Sequence, residues 1–192
     1  MTSSKRTVAI AGATGLVGRE ILQGLLADES VVAVHALGRR ELNLQHPKLS
    51  VHVVDFAALP ALPPLDEAYL ALGTTIKVAG SQAAFRAVDF DANFAVARAA
   101  LAAGARRIGL VSAMGANVRA NIFYSRVKGQ LEDALTGLDF DALVIARPSM
   151  LAGDRAALGQ PLRRGEGMAM SVSTLLRPFI PANYRSIAAA DV

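Results

Sequence analysis

The chain of 192 residues has no cysteine and no tryptophan, and aromatic residues make up only 5% of it. The absence of cysteine excludes a disulfide-stabilised scaffold, a cysteine nucleophile and a thiolate metal site. We therefore expect a cytoplasmic protein. The three histidines, His35, His46 and His52, lack the spacing of metal ligands, so no metal site is expected. No apolar run reaches the roughly 18 residues that a membrane-spanning helix requires, and we expect no contact with a membrane.

Charge is sparse and mixed in sign. The net charge is only +4, and 19% of the residues are charged. Because the arginines are dispersed rather than clustered, a nucleic-acid partner is not expected. Hydrophobic residues make up 53% of the chain, which is enough to fill the core of a single domain covering residues 1–192.

Short apolar segments alternate with segments of helical periodicity along most of the chain. This alternation is typical of an α/β fold, a Rossmann-type doubly wound parallel sheet with helices on both faces. Prolines at 60, 63 and 64 predict an irregular connection between the third and fourth strands. Residues 150–192 are predicted to form a small substrate-side region, partly loop (155–167) and partly a short helix (171–179). The other predicted elements are strands at 7–11, 31–37, 50–54, 68–72, 107–112 and 143–146, and helices at 16–26, 85–103 and 123–135.

Three glycines follow the first predicted strand at the spacing Gly-x-x-Gly-x-x-Gly. Small residues between a strand and a helix let the backbone approach a pyrophosphate, whose charge then faces the helix N-terminus. The spacing predicts a dinucleotide-binding turn, and the alternative is a tight turn that binds no ligand. The residues assigned to the cofactor in this turn are Gly12, Thr14, Gly15, Leu16, Val17 and Gly18.

The ends of the second and third predicted strands should approach the adenosine half of the dinucleotide. Proteins that prefer NAD usually place an acidic residue after the second strand, whereas this chain has Arg39 and Arg40 there. Because a guanidinium can pair with a 2′-phosphate, we expect NADP(H) to be preferred over NAD(H), although a solvated basic loop is the alternative. Asp55 and Phe56 should border the adenine, unless Asp55 is a structural cap.

Tyr124 and Lys128 form a Tyr-x-x-x-Lys pair at the start of a predicted helix. Residues four apart lie on one helix face, so the two side chains can meet. An ammonium beside a phenol favours the phenolate, which lets the phenol exchange a proton with a carbonyl oxygen. Ser112 ends a neighbouring strand, where it would orient that oxygen. The alternative is a helix-face tyrosine with a solvated lysine. A hydrolase role for Ser112 is disfavoured, because the Gly-x-Ser-x-Gly motif is absent and no histidine follows it.

These motifs together give the chain a family resemblance. It resembles the atypical, extended-like short-chain dehydrogenase/reductases, and among them the Tat-interacting-protein-like oxidoreductases, which bind NADP(H). Tyr-x-x-x-Lys with an upstream serine is the catalytic signature of that family. The segments that carry the resemblance are 38–40, 54–56, 72–75, 77–80, 88–89, 112–116, 124–132 and 147–148.

The resemblance implies further roles around the cofactor. Leu72, Gly73 and Thr74 should line it at the end of the fourth strand, and residues 147–149, which are Arg147, Pro148 and Ser149, should pass its nicotinamide end. Asn93 lies in the helix that supplies a supporting asparagine in many relatives. The ending 187–192 resembles the lead-in to a final helix in this group.

Two functional hypotheses follow. The first is an NADP(H)-dependent oxidoreductase that transfers hydride between nicotinamide and a small carbonyl or alcohol substrate, with Tyr124 as proton donor and acceptor. The second is a non-catalytic NADPH-binding regulator or redox sensor, which would not need the intact Ser112, Tyr124 and Lys128. A sugar-nucleotide epimerase is disfavoured because little chain follows Pro148. The alanine-rich segment 94–103 could support a homodimer.

Overall fold

The computed structural model describes residues 5–149, 151–152 and 187–188. Six parallel strands form one sheet in the order β3-β2-β1-β4-β5-β6. This order confirms the predicted Rossmann-type parallel sheet. The strands are β1 (Arg6–Ala11), β2 (Val31–Gly38), β3 (Leu49–Val53), β4 (Glu67–Leu70), β5 (Arg107–Val111) and β6 (Ala142–Ala146).

Helices connect most of these strands. The helices predicted at 16–26 and 123–135 are present and each extends one residue further, whereas the short helix Ile76–Ala79 was not predicted. The irregular connection expected around the prolines between β3 and β4 is confirmed, since no helix or strand lies between residues 54 and 66. The α-helices are α1 (Leu16–Ala27), α2 (Ile76–Ala79), α3 (Gln82–Arg86), α4 (Asn93–Ala102) and α5 (Phe123–Thr136).

The single helix predicted for 85–103 is wrong, because a π-helical segment, Ala87–Ala92, separates α3 from α4. Asp89 in this segment and Asn93 just after it are fully buried polar residues. Both side chains form hydrogen bonds with the backbone of the loop that follows β4. The side-chain amide of Asn93 also donates to the carbonyl oxygens of Val88 and Asp89. These polar contacts accompany the wider π-helical turn. The helix was predicted from hydrophobic periodicity, which cannot reveal such contacts.

The two faces of the sheet are covered by different helices. Helices α4 and α5 pack on one face through Val96, Ala97, Ala100, Leu131 and Leu135. Helix α1 packs on the other face, with its Leu22 and Leu25 against β1 and β2. The sheet is therefore doubly wound, and the carboxyl ends of its strands form the edge at which such folds bind ligands.

The opposite, amino edge of the sheet carries an ion-pair network. Arg6 forms two hydrogen bonds to the buried carboxylate of Glu67, at 2.8 and 2.9 Å, and Arg107 approaches the same carboxylate at 2.6 Å. The Tyr69 hydroxyl also donates to Glu67, at 2.8 Å. Burial, followed by the contact with Glu67, raises the pKa of Tyr69 to about 12. Tyr69 is thus a structural tyrosine and no candidate for proton transfer near neutral pH.

Residues Leu151–Ala152 (β7) and Ile187–Ala188 (β8) form a separate two-stranded parallel sheet. The sequence pattern does not predict this pair. The loop expected at 155–167 and the helix expected at 171–179 lie outside the described residues. Within the described part of the chain, no helix is both long and apolar enough to cross a membrane.

Candidate functional site

The glycine turn joins β1 to α1 beside the point where the strand order reverses. Gly12 has a φ of +96°, and a Cβ placed on it would lie 2.4 Å from the carbonyl carbon of Ala71. A Cβ on Gly18 would lie only 2.1 Å from the carbonyl oxygen of Gly12. Side chains at these two positions would therefore force the turn away from the end of β4 and away from helix α1. The Gly15 amide donates a hydrogen bond to the Gly12 carbonyl. A Cβ on Gly15 would lie 3.4 Å from that carbonyl oxygen, so position 15 is less crowded than positions 12 and 18.

Helix α1 begins in this turn, and its N-cap residue is a glycine. Gly15 is the N-cap and supplies no side-chain hydrogen bond, and the first turn contains no acidic residue. The first N–H groups of a helix lack partners within the helix and carry partial positive charge. Leu16 and the buried Val17 start the helix, and the exposed Thr14 lies just before it. This arrangement suits an anionic pyrophosphate.

The predicted adenosine-side residues lie at the ends of β2 and β3. Arg39 and Arg40 follow β2 directly, and both are exposed. Asp55 is exposed too, and its carboxylate accepts a hydrogen bond of 2.9 Å from the Ala57 amide. Phe56 packs against the main core cluster. Asp55 therefore caps its own loop in this structure. Its contact with adenine stays a prediction.

The loop after β4 is tied to the π-helical segment. Asp89 accepts a hydrogen bond of 2.8 Å from the Thr74 amide, and the Asn93 amide donates to the Leu72 carbonyl at 3.2 Å. A Cβ added to Gly73 would lie 3.5 Å from Oδ1 of Asp89. Oδ1 of Asn93 is buried and has no hydrogen-bond partner among the described residues. The predicted cofactor loop thus rests on two buried polar side chains.

Lys128 forms a buried ion pair with Asp89. Its Nζ lies 2.9 Å from Oδ1 of Asp89, and the two side chains are 5% and 1% exposed. Burial raises the pKa of the Asp89 carboxyl, while Lys128 and the Thr74 amide act in the opposite direction. Gly73 lies over this pair, since a Cβ placed there would be 3.8 Å from the ammonium nitrogen.

Tyr124 lies one helical turn before Lys128 in α5 and is half-buried. Its ring packs against the ring of Phe85, with 5.5 Å between the centroids. Within residues 5–149 the structure records no hydrogen bond for its hydroxyl. The ring of Tyr124 is therefore held against Phe85, and its role as proton donor stays a prediction.

Ser112 lies at the end of β5, and no hydrogen bond between it and Tyr124 is recorded within residues 5–149. Its hydroxyl donates to the buried carboxylate of Glu132 in α5. Arg147 holds the same carboxylate through its Nε, at 3.0 Å, and through a terminal nitrogen, at 2.5 Å. Pro148 is buried and accepts a hydrogen bond from the Met114 amide. Ser149 is half-buried and follows directly.

Sequence reasoning gave no role to Asp89 or Glu132, which the structure places against Lys128 and Ser112. One signal could have pointed to Glu132, because Tyr124, Lys128 and Glu132 are spaced by four residues and so share a face of α5. Asp89 belongs to a segment that carries the family resemblance, but its spacing from Lys128 gives no such signal, since its position depends on the π-helical turn.

The parallel sheet, its strand order and the glycine turn at the reversal of that order define a Rossmann-type dinucleotide-binding protein. The chain belongs to the NAD(P)H-binding family, which it matches over residues 12–173. This membership confirms the resemblance drawn from the motifs. A similar curated protein is "Protein fmp52, mitochondrial" of Emericella nidulans, 35% identical over 158 residues. That alignment covers 77% of this chain and 68% of the relative.

Solved structures show the same fold. MoeE5 in complex with UDP-glucose and NAD superposes with a TM-score of 0.66 at 17% identity, covering 90% of this chain and 62% of that one. The UDP-N-acetylglucosamine 4-epimerase of Methanobrevibacter ruminantium M1 superposes with a TM-score of 0.69 at 15% identity, covering 98% and 70%. This chain therefore spans about two thirds of the proteins that it resembles.

The expectation of a cytoplasmic location is wrong. Relatives from Emericella nidulans, Scheffersomyces stipitis and Coccidioides immitis are all named as mitochondrial proteins. The physical reason for the error is that a chain without cysteine carries no redox constraint of its own. The missing cysteine therefore identifies no compartment.

Proposed function

We propose that this protein is an NADP(H)-dependent oxidoreductase that transfers hydride between nicotinamide and a small carbonyl or alcohol substrate. The observation that carries the proposal is the buried pair of Lys128 with Asp89, 2.9 Å apart, at the carboxyl edge of the sheet. Tyr124 precedes Lys128 by one turn of the same helix, and its hydroxyl is not engaged within the described residues. A phenol and an ammonium one turn apart on the same helix face are the pair that would exchange a proton with a carbonyl oxygen.

The chain's geometry fits a bound dinucleotide. The turn at Gly12 and Gly18 has no room for a Cβ. The start of α1, whose N-cap is a glycine, would offer backbone N–H groups to a pyrophosphate. Gly73 keeps the space above the Asp89–Lys128 pair free of a side chain. When bound, the nicotinamide supplies or accepts the hydride.

Arg39 and Arg40 support a preference for the phosphorylated cofactor. Both are exposed at the end of β2, where a doubly wound fold brings the adenosine ribose. Guanidinium groups bind a phosphate through charge-assisted hydrogen bonds, which a ribose hydroxyl cannot match. We therefore propose NADP(H) as the preferred cofactor.

In the reducing direction, Tyr124 would donate its phenolic proton to the carbonyl oxygen as hydride reaches the carbonyl carbon, which yields the alcohol. In the oxidising direction it would take that proton back. Lys128 has three N–H groups, so its ion pair with Asp89 would leave others for the hydroxyls of the nicotinamide ribose.

The proposal is tested by NADPH oxidation on a panel of small carbonyl compounds with the native protein, Tyr124→Phe and a control, Ser125→Ala. The phenylalanine variant keeps the ring packed on Phe85 and loses only the proton donor. We expect it to lose turnover by about 10²- to 10⁴-fold, the usual contribution of general acid–base catalysis, while the control resembles the native protein. Equal turnover by Tyr124→Phe would refute the proton-donor role. Tight NADPH binding without turnover on the whole panel would favour a nucleotide-binding regulator.

A further inference from the structure

We infer that Ser112 is a positioning residue, whose hydroxyl serves Glu132 rather than a substrate carbonyl. This inference rests on the proposed oxidoreductase function and changes one part of it. The sequence pattern suggests that Ser112 orients the carbonyl oxygen beside Tyr124. The contacts of the folded chain direct the hydroxyl elsewhere.

The first reason is the number of protons available. A serine hydroxyl has one proton to donate, and Ser112 donates it to Oε1 of Glu132. The carboxylate is also held by Arg147 through both of its oxygens, at 3.0 and 2.5 Å. A carboxylate in such an ion pair accepts hydrogen bonds and donates none. A carbonyl oxygen also needs a donor, so Ser112 cannot serve both acceptors at once.

The second reason is the strength of the existing contact. Hydrogen bonds to an ionised acceptor are roughly twice as strong as those between neutral groups. To reach a carbonyl, Ser112 would exchange the charged acceptor for a neutral one and leave Glu132 with one donor fewer. Both residues are almost fully buried, at 5% and 6% exposure, so water could not replace the lost donor without entering the core.

The contact has a clear structural consequence for the site. Glu132 shares one face of α5 with Lys128 and Tyr124. Through Ser112 it ties this helix to the end of β5, and through Arg147 to the end of β6. The network therefore fixes where α5 lies along the carboxyl edge, and with it the place of Tyr124. A substrate carbonyl then receives its side-chain hydrogen bond from Tyr124.

Thermal unfolding of the protein without cofactor tests the contact by a double-mutant cycle, which requires no substrate. Ser112→Ala should lower the melting temperature by about 3 to 12 °C, the range expected for a hydrogen bond to a charged group in a chain of this size. In the background of Glu132→Met, which removes the acceptor at similar volume, the same change should have little further effect. If the methionine variant does not fold, Glu132→Gln replaces it, and the effect of Ser112→Ala should then be partly reduced. Ser50→Ala, on the exposed edge strand β3, is the control for loss of a hydroxyl.

Steady-state kinetics separate a positioning role from a substrate contact. We expect Ser112→Ala to lower kcat, through a displaced Tyr124, while KM for the carbonyl substrate stays within about twofold of the native value. The loss should again shrink in the Glu132→Met background. An unchanged melting temperature together with a raised KM in both backgrounds would overturn the inference. If no carbonyl substrate is turned over, the oxidoreductase proposal fails, and the unfolding cycle still decides whether Ser112 serves Glu132.

Discussion

The buried ion pair between Lys128 and Asp89 allows a quantitative prediction about stability. Their side chains are 5% and 1% exposed, and the charged atoms are 2.9 Å apart. Removal of one partner from a buried pair leaves an uncompensated charge and typically costs about 3 to 5 kcal/mol. In a chain of this length, each kcal/mol corresponds to about 2 to 4 °C of melting temperature. Lys128→Met and Asp89→Asn should therefore each lower the melting temperature by about 6 to 20 °C.

The double variant should be more stable than the sum of the two losses predicts, since it leaves no unpaired charge in the interior. Asp91→Asn is a matched control, because Asp91 lies two residues from Asp89 in the same π-helical segment but is exposed. Thermal unfolding followed by circular dichroism measures all four variants. Additive losses, or single losses no larger than that of the control, would refute the ion pair as a stabilising contact.

The dependence of this loss on pH has a predictable sign. Burial already raises the pKa of Asp89, and Lys128 opposes that shift. Without the lysine the pKa of Asp89 rises further, so the folded Lys128→Met protein binds a proton more tightly than the unfolded chain. Its free energy of unfolding must then increase as the pH falls through this raised pKa towards the ordinary range of an aspartate. The deficit of Lys128→Met should be smaller at pH 5 than at pH 8, and a deficit that grows on acidification would contradict the assignment.

Three further predictions concern glycines and a histidine. Gly18→Ala should lower the free energy of unfolding by about 1 to 3 kcal/mol, because its Cβ would overlap a carbonyl of the turn. Gly24→Ala lies in the same helix, and its Cβ would have nothing within 4 Å, so it should raise the free energy of unfolding by up to about 1 kcal/mol. Urea unfolding measures both changes. Gly73→Ala should leave the melting temperature unchanged and weaken NADPH binding in a fluorescence titration, since its Cβ meets only ordinary contacts but fills the space above the ion pair. Burial, aided by His52, lowers the pKa of His35. The folded protein should therefore lose stability as the pH falls below the ordinary histidine range. His35→Gln should make the free energy of unfolding depend less on pH in that range.

The sheet was predictable because each strand is short, apolar and bounded by glycine, proline or polar residues. Strict alternation with helical segments then leaves parallel strands and crossovers as the simplest arrangement. The strand bounds differ from the prediction by one or two residues; β4, for example, ends at Leu70 rather than at residue 72. The left-handed Gly104, with φ at +97°, ends the alanine-rich helix as its position predicts.

The candidate site was predictable only where a residue's partner lies close in sequence. Tyr124 and Lys128 are four residues apart, so helical geometry brings them to one face. The partners of Lys128 and Ser112 depend on tertiary packing instead. Asp89 is brought to Lys128 by a π-helical turn, and Glu132 meets Arg147 because β6 lies beside β5 in the sheet. The spacing of residues along the sequence does not identify such partners from other segments.

The most direct test of the central claim is a pair of fluorescence titrations, with NADPH and with NADH, on the native protein and on the double variant Arg39→Ser/Arg40→Ser. A hydrogen bond to a charged group contributes about 1.5 to 3 kcal/mol, which is roughly 10- to 150-fold in affinity. We predict that the native protein binds NADPH at least about tenfold more tightly than NADH, and that the double variant loses this difference with little change in NADH affinity. No saturable binding of either nucleotide, or equal or tighter binding of NADH by the native protein, would contradict the proposed NADP(H) site.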